Sequence, residues 1–174
     1  MKLRNKLAGL LCGLLCLSLL AGCSGREPFR RESITISQLQ EMLAEKQTFN
    51  LAVEREQCPF CEAMNQYMTD TSEEHPDEVL YVIDITAFDC KKATETSTTL
   101  ISSTMDGKNF LKIFPYFYYT PTIYKIQDGR VKEAGIGWNN DTKQVSLWNT
   151  TSSIDWNSSK GEDLWTFLAR DATD

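Results

Sequence analysis

The sequence predicts an α/β domain: a central mixed sheet flanked by helices, with polar insertions. Three observations predict it. Short β-branched runs alternate with segments of helical period through the first half of the chain. A Cys-x-x-Cys, Cys58 to Cys61, directly follows one such run and opens one such helix. Two apolar runs flank Gln127-Asp128-Gly129-Arg130, a hairpin signal, ahead of a last helical segment.

The elements follow in order. Lys2, Arg4 and Lys6 form a basic start with no acidic residue, and Leu7 to Leu20 is an apolar run. It is shorter than the roughly 20 apolar residues that a spanning helix needs. Ala21 and Gly22 then precede Cys23, so residues 1–22 read as an export signal. Residues 23–33, polar and containing Pro28, read as a tether, and 34–174 as the folded domain.

Ile34-Thr35-Ile36 alternates as a short strand. Ser37, with Gln40 three residues on, has the form of a capping box for a helix carrying Leu39, Met42 and Leu43 to about Lys46. Phe49 to Val53 is a strand. Ala63, Met64, Tyr67 and Met68 mark one face of the helix that the cysteines open, and His75-Pro76-Asp77 ends it. Val79 to Ile85 suits a central strand covered on both faces. Cys90 to Met105, rich in Thr and Ser, is weakly helical at best, and Asp106-Gly107 marks a turn. Thr122 to Ile126 and Val131 to Ile136 make the hairpin. Trp138 to Lys160 reads as an inserted polar loop, and Glu162 to Ala169 as the closing helix. Right-handed crossovers put the early strands parallel and the hairpin at one side.

Composition narrows the function. Removing the three cations of residues 1–22 leaves 15 Lys and Arg against 24 Asp and Glu, a net charge of −9. Such a surface disfavours nucleic acid as a partner. Removing Cys12 and Cys16 with the signal leaves Cys23, Cys58, Cys61 and Cys90, and outside the cytoplasm disulfides persist.

A cysteine at a helix N-terminus faces unpaired backbone N–H groups and the positive end of the dipole, which favour thiolate. Cys58 is therefore the expected nucleophile on a substrate disulfide, and Cys61, one turn on, the resolving thiol. Pro59 suits the first turn of that helix, because its missing N–H is not needed there.

Leu20-Ala21-Gly22-Cys23 resembles the lipobox of bacterial lipoproteins. That resemblance implies a lipidated Cys23 and a domain anchored to the outer side of the cell membrane. An uncleaved N-terminal helix, or an ordinary cleaved signal that leaves Cys23 unmodified, is the alternative to a signal cut just before a lipid-bearing Cys23. Cys58-Pro59-Phe60-Cys61 and the element order resemble the thioredoxin superfamily, and imply its fold. The superfamily places a cis-proline beside the cysteine pair, where it helps to bind substrate backbone; Thr120-Pro121 occupies that position. More narrowly, the lipoprotein signal, Cys-Pro-Phe-Cys and Tyr-Tyr-Thr-Pro-Thr resemble the thioredoxin-like bacteriocin transport accessory proteins of Gram-positive bacteria. Three departures from ordinary thioredoxin bear on the direction of electron flow. The dipeptide is Pro59-Phe60; Gln57 replaces an aromatic residue; and Ala52 stands where a buried aspartate assists proton transfer, leaving Glu54 or Glu56 as candidate substitutes.

Zinc needs four ligands, and only Cys90 and His75 are left to join the pair. A structural disulfide three residues apart closes almost no loop and stabilises little. Cys90 reads as a small core residue, with a regulatory partnership as the alternative, and His75 as solvated in a charged turn. Phe114, Tyr116, Phe117, Tyr118 and Tyr119 read as core and strand edge, some lining a groove. Trp165 reads as core; Trp138, Trp148 and Trp156 cap the domain or touch a partner.

The expectation is an extracytoplasmic thiol–disulfide oxidoreductase with no bound cofactor and no metal. Its partners are exported proteins or peptides bearing thiols or disulfides, and a membrane redox partner. The rival is a non-catalytic binding module of a secretion or adhesion complex, with a static disulfide.

Overall fold

The structure, a computed structural model, describes residues 26–172. The signal segment and Cys23 lie outside the described residues. Seven strands form one mixed sheet in the order β1-β3-β2-β6-β7-β8-β9, and β4 and β5 form a small separate hairpin.

The chain is pinned from Glu27 onward: Glu27 and Asp77 exchange two hydrogen bonds, and Phe29 packs edge-on against Trp165 at 5.0 Å. Strand β1 is Arg30–Ser33, not Ile34 to Ile36. It lies within the stretch read as tether and pairs parallel with β3 (Val79–Asp84). Four charged and polar residues suit an edge that must not recruit another strand. Helix α1 (Ile36–Ala44) is capped by Thr35, whose capping box closes with Gln38, two residues earlier than Ser37 and Gln40. The earlier start places Ile36 with Leu39 and Met42 in the interior.

Strand β2 (Phe49–Glu54) lies between β3, parallel, and β6, antiparallel. Its alternation divides two cores. Leu51 and Val53 join Leu39 of α1 and Phe110 on one face; Ala52 meets Met64 and Met68 of α2 (Pro59–Thr71) on the other. At the far end of α2, Trp165 donates its indole N–H to Thr71 at 2.9 Å and stacks on His75 at 4.0 Å. His75 is thus a half-buried packing residue, remote from the cysteines, and not the solvated side chain expected.

The stretch expected to be weakly helical holds the hairpin β4 (Lys91–Lys92) and β5 (Leu100–Ile101). Asp106-Gly107 is not a turn but the first turn of α3 (Met105–Ile113), capped by Thr104. Gly107 is needed for close approach: a Cβ there would collide with Ser102 and the Phe88 carbonyl.

Strands β6 (Thr122–Gln127) and β7 (Arg130–Asn139) form the expected hairpin. Asp128 and Gly129 both take positive φ, 51° and 70°, as a two-residue turn between right-twisted strands requires. The expected polar loop is partly sheet: it contains the end of β7 and all of β8 (Gln144–Trp148), and its last residue, Lys160, begins β9 (Lys160–Asp163). Trp138 is buried within it. Helix α4 (Leu164–Ala169) starts after its cap, Asp163, and buries Leu164, Trp165, Phe167 and Leu168. Among the described residues no helix is long and apolar enough to cross a membrane.

Candidate active site

The parallel strand β2 delivers the chain to the site. Beyond Glu54 the backbone turns through Gln57, whose φ of 54° is rare for a residue with a side chain and common at functional turns. Cys58 is then the N-cap of α2, with Pro59 in the first turn. Cys58 and Cys61 are joined as a disulfide, with Cα atoms 5.2 Å apart and each residue 3% exposed.

Three groups surround the Cys58 sulfur. The backbone N–H of Cys61 donates to it at 3.2 Å. The Thr120 hydroxyl donates at 3.4 Å. The Thr120 carbonyl oxygen lies 3.5 Å away, placed to accept from the reduced thiol. The Thr120–Pro121 peptide is cis. Two donors aimed at one sulfur stabilise the negative charge that it carries as a thiolate or leaving group.

Phe60 projects from the first turn of α2 and is 59% exposed. Together with Cys58, Pro59 and Thr120 it lines a cleft of about 590 Å3, whose other wall holds Ile85, Cys90 and Tyr119. Within the aromatic run, Phe114 and Phe117 are buried, and Phe117, Tyr118 and the exposed Tyr119 line this cleft.

The two candidate proton-transfer residues differ. Glu56 is exposed on the rim of the cleft, and its backbone N–H donates to Thr86. Glu54 is buried and already engaged: Arg31 of β1 donates to both of its oxygens at 2.8 and 2.9 Å, and Asn65 donates at 3.0 Å. Asn65 lies one turn beyond Cys61 on α2, and its side-chain oxygen is buried without a hydrogen-bond partner among the described residues. Sequence reasoning missed Arg31 and Asn65. The i, i+4 spacing from Cys61 was a signal for Asn65; nothing local pointed to Arg31, which reaches Glu54 only through the β1–β3–β2 pairing.

Cys90 is a free, half-buried thiol. Burial pushes its pKa up, and Asp89 beside it pushes it further. It shares the cleft with Cys58 as a protonated, weakly nucleophilic group.

No protein-family model matches the chain, and no curated protein matches it. Solved structures do. A chain of the ferredoxin:thioredoxin reductase–thioredoxin f2 complex is 14% identical, with a TM-score of 0.44, over 65% of this chain and 87% of that one. Spinach chloroplast thioredoxin f is 15% identical, with a TM-score of 0.44, over 65% and 86%. Chlamydomonas reinhardtii thioredoxin f2 is 10% identical, with a TM-score of 0.45, over 65% and 89%. The chain itself has a mixed sheet flanked by helices, with a cysteine pair at disulfide distance where a parallel strand meets a helix and a cis-proline beside it.

Proposed function

We propose that this chain is an extracytoplasmic thiol–disulfide oxidoreductase, anchored to the membrane through Cys23, that exchanges disulfides with exported proteins or peptides. One observation carries the reading: Cys58 caps α2 with its sulfur accepting from the Cys61 N–H and the Thr120 hydroxyl. The basic start, apolar run and Leu20-Ala21-Gly22-Cys23 of the sequence support the location. The resemblance to bacteriocin transport accessory proteins suggests exported peptides as substrates.

In the reducing direction the Cys58 thiolate attacks one sulfur of a substrate disulfide. The substrate S–S bond breaks, one substrate thiolate leaves, and a mixed disulfide forms. The Cys61 thiolate then attacks the Cys58 sulfur, closes the Cys58–Cys61 bond and releases the second substrate thiol. Two electrons and two protons have passed from the pair to the substrate; the same steps reversed oxidise a substrate dithiol. A membrane redox partner resets the pair.

The test is the reduction potential of the pair, measured on the full chain in detergent against glutathione or dithiothreitol buffers. A value between about −120 and −180 mV marks a disulfide donor, and one near about −270 mV a reductase. A pair that stays oxidised well below about −300 mV is a static bridge, and the enzyme reading falls. Cys58→Ser abolishes exchange, whereas Cys61→Ser accumulates mixed disulfides recoverable by non-reducing electrophoresis.

A further inference from the structure

A second cleft adjoins the redox site. Phe60, Tyr119 and Thr120 form a ridge with the Cys58 cleft on one side and this cleft, of about 370 Å3, on the other. Its remaining walls come from the late antiparallel strands and the β8–β9 connection: Ile136, Trp138 and Trp156 on the apolar side, with Asn139, Gln144 and Ser146 as its polar part.

Trp156 reaches the ridge by construction. Asp155 accepts from the Asn157 N–H at 3.0 Å and the Ser158 hydroxyl at 2.6 Å, and its carbonyl accepts from Ser158 and Ser159. This turn presents Trp156 edge-on to Tyr119, with ring centroids 5.2 Å apart. Gly137, at a φ of 70°, runs beneath the indole; a Cβ there would stand 3.4 Å from it. Six large apolar side chains are exposed among the described residues, and three of them (Phe60, Tyr119 and Trp156) meet at this point. Exposed aromatic surface gathered in one place marks a recognition site, and large aromatic side chains are effective anchors.

We propose that this cleft is a specificity subsite for an extended peptide that carries an aromatic or large aliphatic side chain beside its disulfide cysteine, with Trp156 as the wall that selects it. The proposal rests on the oxidoreductase reading. The occupant follows from continuity: a chain with its sulfur at Cys58 crosses the Phe60–Tyr119–Thr120 ridge, and its neighbouring side chain enters a pocket whose larger walls, Phe60, Trp138 and Trp156, are aromatic. At about 370 Å3 the pocket is at the small end of ligand sites and has room for one large side chain.

The experiment uses two peptides, each closed by one internal disulfide, that differ only in Phe or Ser next to the cysteine. The dithiothreitol-reduced full chain in detergent, freed of excess reductant, is mixed with each, and appearance of the peptide dithiol is followed by chromatography. Each turnover oxidises one Cys58/Cys61 dithiol and reduces one peptide disulfide. The Phe peptide is reduced about tenfold faster at low concentration, the scale that burial of one aromatic side chain supports. Trp156→Ala brings the Phe-to-Ser ratio near one, and Trp156→Phe restores most of it. A wild-type ratio near one, or a ratio that Trp156→Ala leaves unchanged, overturns the subsite. A wild-type dimer that Trp156→Ala dissolves, with a ratio near one, assigns the cleft to a second copy and also overturns it. If the wild type reduces neither peptide, nor more 5,5′-dithiobis(2-nitrobenzoate) than the Cys58→Ser/Cys61→Ser variant does through its other thiols, the redox reading fails along with the proposal; reduction of that small disulfide above the variant's level with no peptide preference sinks the subsite alone.

Discussion

The early half of the sheet and the late half are held together differently. Strands β1, β3 and β2 run parallel, and the inner two bury Leu51, Ala52, Val53, Leu80 and Ile83 under crossover helices. Strands β6 to β9 are antiparallel, and apolar residues thin out along them: β9, Lys160–Asp163, has none. There the ladder is braced by charge. Arg170, just past α4, donates to both oxygens of buried Glu133 on β7 and to Glu162 on β9, at 2.7–3.0 Å. Those two carboxylates raise the Arg170 pKa further above its already high ordinary value. The lesson is a division of labour: the early half places the cysteine, and the late half builds what stands around it.

Charge removal tests that contrast most severely. Arg170→Ala strips Glu133 and Glu162 of this partner at once and is expected to cost about 3 kcal/mol, read as a lower urea midpoint with an unchanged slope. Arg31→Ala is the counterpart in the early half. It leaves buried Glu54 to Asn65 and is expected to cost less, about 2 kcal/mol, because apolar burial still holds β3 and β2 together. An Arg31→Ala loss equal to or greater than that of Arg170→Ala would break the distinction.

The smallest expected effect concerns Cys90, at the early-half rim of the cleft. Its pKa is raised, so less of it is thiolate at any given pH than for an ordinary cysteine. With the Cys58–Cys61 disulfide intact, iodoacetamide should label Cys90 slowly near neutrality. The rate should keep climbing beyond the pH at which an exposed thiol levels off. Fast labelling near neutrality contradicts the raised pKa.

The same contrast decides what the sequence made legible. In the early half each signal is local: the alternation of Phe49 to Val53, the spacing of Met64 and Met68, and the cysteines between them. The Asp128-Gly129 turn is equally local, and so is the Thr-Pro ahead of β6. The late strands escaped for a physical reason. Lys160-Gly161-Glu162-Asp163 is a strand only because β8 offers it a ladder, and no periodicity within four polar residues reports that. Helix α3 was masked because Gly107, which reads as a turn residue, is there for a close backbone approach. Of the site, Cys58, Cys61, Thr120 and Pro121 could be read directly. Arg31 could not, since it reaches Glu54 only through the β1–β3–β2 pairing; Asn65 had only its spacing from Cys61 to mark it, and Trp156 could be read as a cap or a partner contact but not placed beside the cysteines.

The direction of β1 has a consequence for reach. The chain is docked from Glu27, beside Asp77 and Trp165, at the end of α2 opposite Cys58. That helix has 13 residues, about 20 Å. Cys23 lies four residues before Glu27, a leash of at most about 14 Å. If Cys23 carries the lipid, the leash holds the Glu27 end of α2 near the bilayer and leaves the Cys58 end the farther one. Soluble chains arriving from outside then meet Cys58 first. A membrane partner that resets the pair would in that case reach Cys58 by extending a domain of its own past the side of this one.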